Sequence, residues 1–166
     1  IMKLTLLGTG CPSVDFKRCG SSNLISTNST KILVDCGSGV TQRLNQSKNS
    51  SADIDALLLT HLHTDHVIDL YQLIISSWHS DRTSQWKIYG PKGTKQFVDK
   101  IFLTWKSERK LRISYERRKS SKALNYKVYE FKKEGFININ DIKIKYFEVD
   151  HKPVPYAYGF SFFSGK

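Results

Sequence analysis

The sequence predicts one α/β domain, of α+β character, in which mixed β-sheets pack against flanking helices. Its 166 residues are 39% hydrophobic and 12% aromatic, enough to build the core of about one globular domain. Short apolar segments alternate with segments of helical spacing, which is typical of layered packing. The run Ala56–Thr60 is almost entirely apolar and predicts a strand that is buried on both faces.

The first part of the chain predicts a strand, a hairpin and a short helix. Lys3–Leu7 is a short apolar strand that ends at a glycine-containing turn. Asn23–Ser26 and Lys31–Asp35 flank four polar residues, as the two strands of a hairpin do. A Gly-Ser-Gly segment then precedes a short helix over Val40–Gln46. The buried strand Ala56–Thr60 follows this helix after a polar loop.

The rest of the chain predicts two longer helices and five strands. Apolar residues recur at helical spacing after position 66, namely Val67, Leu70, Tyr71, Ile74 and Trp78. Trp86–Tyr89 predicts a strand and Gly93–Trp105 an amphipathic helix. The last third is rich in strand-like segments, which are Lys127–Phe131, Phe136–Ile139, Ile142–Val149 and Tyr158–Phe163.

Cysteine content and hydropathy indicate a protein of a reducing compartment. The three cysteines cannot all pair within one chain, and no CxxC spacing occurs. Free thiols are therefore expected. No apolar run approaches the length of about 20 residues that a membrane-spanning helix needs. We expect a cytoplasmic protein that does not enter a membrane.

The net charge of +11 is unevenly distributed. Residues 106–133 contain eleven Lys or Arg residues and only three Glu residues. One interpretation is a surface that binds a polyanion such as RNA. The other interpretation is an ordinary solvated face. The residues alone leave both interpretations open, because no regular series of aromatic residues accompanies the charge.

The segment "THLHTDHV" (Thr60–Val67) concentrates three of the five histidines next to a carboxylate. It follows the predicted buried strand and precedes a predicted helix, so its side chains lie in a loop. His61 and His63 are two positions apart and point the same way in an extended segment. Asp65 and His66 form a second pair at the start of the helix. Imidazole and carboxylate groups bind zinc, so the spacing predicts a hydrolytic site with up to two metals.

The segment "HLHTDH" resembles the HxHxDH signature of the metallo-β-lactamase superfamily. Further segments resemble, in the same order, blocks of the branch that contains ribonuclease Z and the arylsulfatase-like hydrolases. These segments are "LLGTGCPSVDFKRCGSSNLI", "ILVDCGSGVTQRL", "IDALLLTHLHTDHVIDLYQLI", "IYGPKGTKQFVD" and "FEVDHKPVPYAYGFSF". The resemblance implies the N-terminal part of the family's αββα sandwich, with metals at one edge.

The resemblance also implies roles for six residues. The metal ligands would be His61, His63 and His151 for a first zinc, and Asp65 and His66 for a second. Asp65 would in addition act in catalysis by holding the attacking water or accepting its proton. Asp35 would support the metal loops without binding metal. From the residues alone, a cap for the turn at Gly37 is an equally good interpretation of Asp35. One or two Zn²⁺ ions are expected, and Mn²⁺ is an alternative.

The function implied by the resemblance is metal-dependent hydrolysis of phosphodiester or sulfate ester bonds by a metal-bound hydroxide. The substrate would be RNA or a small ester. Two alternatives stay open at this point. The chain could be a catalytically incomplete metal-binding fragment, or an RNA-binding module that uses the basic stretch 106–133.

The chain ends before the block in which the family has the aspartate that bridges the two metals. We therefore expect residues 1–166 to form a metallo-β-lactamase-like domain that is truncated before its C-terminal half. Such a fragment would expose apolar surface, which favours association. We expect a homodimer.

Overall fold

Two β-sheets lie face to face in residues 1–165, the part of the chain that the computed structural model describes. The first sheet has six strands in the order β1-β2-β3-β4-β5-β6, and the second has three in the order β7-β8-β9. The strands are β1 (Lys3–Gly8), β2 (Ser22–Ser26), β3 (Lys31–Val34), β4 (Ala56–Leu58), β5 (Trp86–Gly90), β6 (Tyr126–Glu130), β7 (Glu134–Ile139), β8 (Ile142–Glu148) and β9 (Tyr158–Ser164).

The first sheet is mixed and the second is antiparallel. Strands β1, β2 and β3 form an antiparallel meander. The pairs β3-β4, β4-β5 and β5-β6 are parallel. Strand β4 lies at the centre of the first sheet, with all three of its residues buried. Because it is covered on both faces, it needs apolar side chains on both, which explains its uninterrupted apolar sequence.

Helices cover one face of the six-stranded sheet. They are α1 (Val40–Gln46), α2 (Thr64–Val67), α3 (Leu70–His79), α4 (Thr94–Thr104) and α5 (Lys106–Glu116). A large apolar core lies between this face and helices α1 to α4, and it contains Leu33, Leu57, Leu73, Trp78 and Phe102. A second core joins the two sheets through Ile32 and Leu58 on one side and Ile142 and Ile144 on the other. The layers are therefore helix, sheet and sheet, which confirms the predicted α/β class.

The predicted strands and helices are present, with ends that differ by a few residues. The helix predicted after the histidine segment is the main exception, because it is two helices, α2 and α3, separated at Ile68 and Asp69. The carboxylate of Asp69 accepts hydrogen bonds of 2.7 Å from both the backbone N–H and the hydroxyl of Thr41. This contact fixes the junction against helix α1.

Helix α5 was not predicted, because six of its eleven residues are charged and its few apolar residues stay exposed. None of its residues is buried. Arg112 forms ion pairs with Glu108 and Glu116, each four positions away. Pairs at this spacing favour a solvated helix. Part of the basic stretch is thus a helix whose charges are partly neutralised by neighbours.

Cys11, Cys19 and Cys36 are all free thiols, in agreement with the sequence prediction. Burial is the main reason that the pKa of Cys36 lies well above its ordinary value, and the nearby Asp35 carboxylate adds to this effect. No helix in the described part of the chain is long and apolar enough to cross a membrane.

Candidate metal centre

The histidine segment lies where the central strand β4 leaves the sheet. The backbone N–H of Leu59 still donates to the carbonyl of Tyr89 in β5. Hydrogen bonds to the neighbouring strand therefore continue up to the residue before Thr60. His63 is then the N-cap residue of helix α2 and has an extended backbone. The segment therefore changes from strand to helix within a few residues, which brings His61, His63, Asp65 and His66 to one edge of the sheets.

His151 reaches the same edge from the second sheet. It follows β8 in the loop that leads to β9. The first N–H of β9, from Tyr158, donates to the carbonyl of Thr60 at 2.9 Å. This bond ties the two loops together. One ring nitrogen from each of His61, His63 and His151 lies within 4.8 Å of the others.

The three histidines differ in their exposure to solvent. His61 is buried at the bottom of the cluster, whereas His63 and His151 are exposed. The ring centroid of His61 is 4.6 Å from that of His63 and 4.7 Å from that of His151. The cluster is thus open to solvent on one side, as a site that admits a substrate must be.

A hydrogen-bond chain fixes the orientation of the His61 ring. The Thr60 hydroxyl donates to Asp35 Oδ2 at 2.8 Å, and the Thr60 N–H donates to Asp35 Oδ1 at 2.8 Å. The Thr60 hydroxyl oxygen is also 2.9 Å from His61 Nδ1. Its only proton goes to the carboxylate, so His61 Nδ1 must be the donor in this contact. The other ring nitrogen, Nε2, then carries a free lone pair.

Asp65 and His66 form a second pair beside the three histidines. His66 Nδ1 donates to Asp35 Oδ2 at 2.7 Å, and His66 Nε2 lies 3.5 Å from Asp65 Oδ2. The ring centroids of His66 and His61 are 4.1 Å apart. All five predicted ligands therefore lie in one cluster, in which three form one group and Asp65 and His66 form an adjacent pair. Asp35 contacts His66 directly and contacts His61 through the Thr60 hydroxyl.

Two atoms of this cluster lack partners. Among the residues that the structure describes, only His61 Nε2 and Asp65 Oδ1 are buried side-chain polar atoms without a hydrogen bond. A buried polar atom without a partner costs about 1–3 kcal/mol. One of the two atoms is an imidazole nitrogen with a lone pair and the other is a carboxylate oxygen. Both are atom types that bind divalent cations, so the donor set fits a metal such as zinc.

Burial and charge shift the histidine pKa values in opposite directions. Burial, followed by the neighbouring histidines, lowers the pKa of His61 to about 4. His61 is therefore neutral at pH 7, which is the form that binds metal. Burial also lowers the pKa of His66, but the hydrogen bond that His66 donates to Asp35 and the charge of Asp35 outweigh it, so the net shift is upward.

Gly37 allows the loop after β3 to approach the histidine segment. A Cβ atom at this position would lie 2.1 Å from the carbonyl oxygen of Asp65. The next contact is formed by Cys36, whose N–H donates to the carbonyl of His66 at 2.7 Å. Only glycine permits this approach, so the sequence Asp35-Cys36-Gly37 positions the second pair.

Thr60 is the residue of this cluster that the sequence prediction missed. Its position directly before the first histidine could have indicated this role, because a hydroxyl group there can contact the Nδ1 atom of the next ring. Asp35, by contrast, lies where the resemblance implied. It contacts Thr60 and His66, and its role at the metal loops stays a prediction.

Comparison with known proteins identifies the family. Residues 2–166 match the family model described as "Anti-Pycsar protein Apyc1". The chain belongs to this family. It is 32% identical to ribonuclease Z of Mycobacterium marinum over 163 residues, which is 96% of this chain and 58% of the relative. It is 33% identical to ribonuclease Z of Mycobacterium sp. strain KMS over 162 residues, 96% of this chain and 56% of the relative. The chain thus spans little more than half the length of these relatives.

Solved structures share the fold of this Apyc1 family member. The metallo-β-lactamase fold protein YhfI from Bacillus subtilis has a TM-score of 0.71 at 22% identity, covering 98% of this chain and 58% of that protein. The short form of human tRNase Z (ELAC1) has a TM-score of 0.73 at 22% identity, covering 99% and 64%. These matches confirm the predicted metallo-β-lactamase fold.

Proposed function

We propose that His61, His63 and His151 bind a divalent metal ion and that this site hydrolyses phosphodiester bonds. One observation carries the proposal. The Nε2 atom of the buried His61 has no hydrogen-bond partner, and it lies in a group with ring nitrogens from two further histidines. Without a ligand for this nitrogen, the desolvation cost of burying it stays uncompensated. Three imidazoles are a ligand set that zinc takes in hydrolytic sites.

Asp65 and His66 are proposed to hold a second metal, for which Asp65 Oδ1 is the unpartnered ligand. The proposed supporting roles belong to Asp35 and Thr60. Asp35 orients His66 directly and orients His61 through the Thr60 hydroxyl. When bound, the metal lowers the pKa of a coordinated water and stabilises charge on the phosphoryl oxygens. Asp65 lies at the same edge, and its proposed second role is to accept the proton of the attacking water.

The relatives support phosphorus over sulfur as the reacting atom. The two mycobacterial relatives are ribonucleases Z. A further solved structure with this fold is "a New Diphosphatase from the PhnP Family". It has a TM-score of 0.66 at 20% identity, covering 98% of this chain and 62% of that protein. None of the relatives named here is an arylsulfatase. Sulfate ester hydrolysis, which the resemblance also implied, is therefore not our proposal. Zinc is proposed as the metal, with Mn²⁺ as the alternative.

The predicted partners are RNA and a second copy of the chain, and both stay predictions. Within the basic stretch, Arg112 and Arg118 are engaged with Glu116. Helix α5 also exposes Leu111 and Tyr115, which a second copy could cover.

The cytoplasmic location likewise stays a prediction. We propose that residues 1–166 supply the metal-binding part of a metallo-β-lactamase-like domain.

The test measures zinc affinity and hydrolysis in the same preparation. Competition with a chromophoric chelator gives the affinity, and release of p-nitrophenol from bis-p-nitrophenyl phosphate gives the activity. We expect wild-type protein to bind zinc, and His63→Ala to lose both binding and any turnover. His79→Ala is the control, because His79 bonds to Arg112 and Arg118 outside the cluster. Equal zinc affinity in His63→Ala and wild type would contradict the proposal.

A further inference from the structure

A groove in the helix layer exposes apolar side chains to solvent. It has a volume of about 490 Å³ and lies between α3 on one side and the α4–α5 segment on the other. Tyr71 and Ile75 line it from α3, and Ile101 and Trp105 line it from the α4–α5 segment. None of the five proposed metal ligands is among the described residues that line this groove, so it is a surface separate from the histidine cluster.

The groove has an apolar floor and an exposed apolar edge. Tyr71, Ile75 and Ile101 are partly buried and pack against the main core, so the floor is continuous with that core. Trp105 and Ile68, by contrast, are 46% and 61% exposed. Contiguous apolar surface that stays in contact with water is typical of an interaction site.

The walls of the groove have the spacing of helix surfaces. Ile68, Tyr71 and Ile75 lie at positions i, i+3 and i+7, and Ile101 and Trp105 lie four positions apart. At a rise of about 1.5 Å per residue, the first wall is roughly 10 Å long, or about two helical turns. A groove of this shape suits a third helix, whose apolar side chains at positions i, i+3 or i+4 and i+7 would enter it.

The α4–α5 segment beside the groove is basic. Residues 100–112 contain five Lys or Arg residues and one Glu residue. That residue, Glu108, forms an ion pair with Arg112 in the wall of the groove. Lys100, Lys106 and Lys110 are exposed and form no ion pair within the described residues. A partner with carboxylates beside its apolar face would complement this charge.

We propose that this groove binds an acidic amphipathic helix of a partner protein. A second copy of the chain fits less well, because a two-fold dimer through this surface would bring two basic α4–α5 segments together. RNA would also match the charge. However, Tyr71 and Trp105 stack on each other with ring centroids 5.4 Å apart, and Ile75 and Ile101 are aliphatic. The surface therefore suits apolar side chains better than the faces of bases.

Three synthetic probes test the proposal on the 166-residue chain. The first is a helical peptide of about five turns with leucines at i, i+3, i+4 and i+7, glutamates on the other faces and no aromatic residue. The second has lysine in place of every glutamate, and the third is a single-stranded RNA. By calorimetry we expect the acidic peptide to bind with micromolar affinity and the basic peptide at least about tenfold more weakly.

Tryptophan fluorescence reports where the acidic peptide binds. Trp78 and Trp86 are already buried, so only Trp105 among the three tryptophans can move from water into an apolar contact. The acidic peptide should shift the emission to shorter wavelength, and RNA should leave it unchanged. Trp105→Ala should abolish the shift and weaken binding of the acidic peptide by about 30-fold or more, the effect of losing a central aromatic anchor.

A charge reversal gives a second measurement that leaves the apolar packing intact. Lys106→Glu combined with Lys110→Glu should weaken binding of the acidic peptide by about 2- to 30-fold, since each lysine is an exposed cation. Lys3→Glu combined with Lys17→Glu is the matched control, because both residues are exposed and lie outside the α4–α5 segment. The control should change the affinity by less than about twofold.

Several results would overturn the proposal. They are no binding of the acidic peptide up to about 1 mM, equal affinity for the acidic and basic peptides, and an equal loss in the control pair. RNA that shifts the Trp105 emission and displaces the peptide would make the groove an RNA site instead. Self-association in sedimentation experiments that Trp105→Ala abolishes would assign the groove to a second copy of the chain.

Discussion

Two buried polar clusters in this molecule satisfy their polar atoms in different ways. The guanidinium of Arg82 donates four hydrogen bonds to backbone carbonyls, and it lies 4.3 Å from the centroid of the Trp86 ring. The acceptors, at 2.6–3.2 Å, are the carbonyl oxygens of Ala52, Ile54, Ser84 and Gln85. The cluster around His61 leaves one imidazole nitrogen and one carboxylate oxygen without a partner.

This difference separates a structural cluster from a candidate functional one. Burial lowers the pKa of Arg82 to about 10, so the group stays charged at pH 7 and its charge is dispersed over backbone carbonyls. Nothing is left for a ligand to satisfy. At His61 a hydrogen bond fixes the position of Nδ1, and Nε2 has no partner. We infer that the Arg82 cluster raises the free energy of unfolding. The His61 cluster lowers it in the metal-free protein, because its unpartnered atoms are ligands for a metal.

The largest expected effect is on metal binding. His63→Ala should weaken zinc binding by roughly 60- to 700-fold, because a four-ligand zinc site supplies about 10–16 kcal/mol, or roughly a quarter of that per ligand. Chelator competition measures this change. The free energy of unfolding of the metal-free protein should stay within about 0.5 kcal/mol, since His63 is exposed. A large loss of stability without metal would mean that the histidines serve the fold, as Arg82 does.

Arg82→Met is expected to have the opposite profile. It should lower the free energy of unfolding by about 3 kcal/mol, because buried carbonyls lose their charged donor. Urea denaturation measures this value. Zinc affinity should stay within about twofold. Arg18→Met is the matched control, as Arg18 is exposed and should change stability by less than about 0.5 kcal/mol. If Arg82→Met also abolished zinc binding, the two clusters would not be independent.

Asp35→Asn should weaken zinc binding by about 10- to 100-fold, the usual effect of removing a carboxylate that supports a metal ligand. The backbone of Asp35 has φ 61°, a value that asparagine tolerates, so the fold should persist. Asp81→Asn is the matched control, because Asp81 also has φ 61° and lies outside the cluster. An equal loss of affinity in both variants would assign the effect to the backbone and not to the carboxylate.

Thr60→Val is the smallest and sharpest change, since it replaces one hydroxyl by a methyl group. We expect zinc affinity to fall by about tenfold because His61 Nδ1 loses the acceptor that fixes its tautomer. Nitrogen-15 shifts of the His61 ring in metal-free protein report the tautomer directly. Thr60→Ser restores the hydroxyl and should restore both values. Retention of the wild-type tautomer in Thr60→Val would remove Thr60 from the site.

Local sequence determined the histidine segment and most of the fold. The order apolar strand, HxHxDH and helical spacing places His61, His63, Asp65 and His66 on one strand-to-helix loop without any tertiary information. The layered α/β class follows from the same alternation of periods. Helix α5 was missed because ion pairs support it, and hydrophobic periodicity does not detect a helix that buries no residue.

Tertiary structure decided which distant groups meet. His151 lies far along the chain, and only the resemblance connected it to the site. The bond between Tyr158 and Thr60 brings its loop to the first sheet. The roles of Thr60 and Arg82 likewise depend on partners that are remote in sequence or formed by backbone atoms. Residue types and spacing encode the elements and the chemistry of the ligands, whereas burial and unpartnered atoms arise only when the sheets pack together.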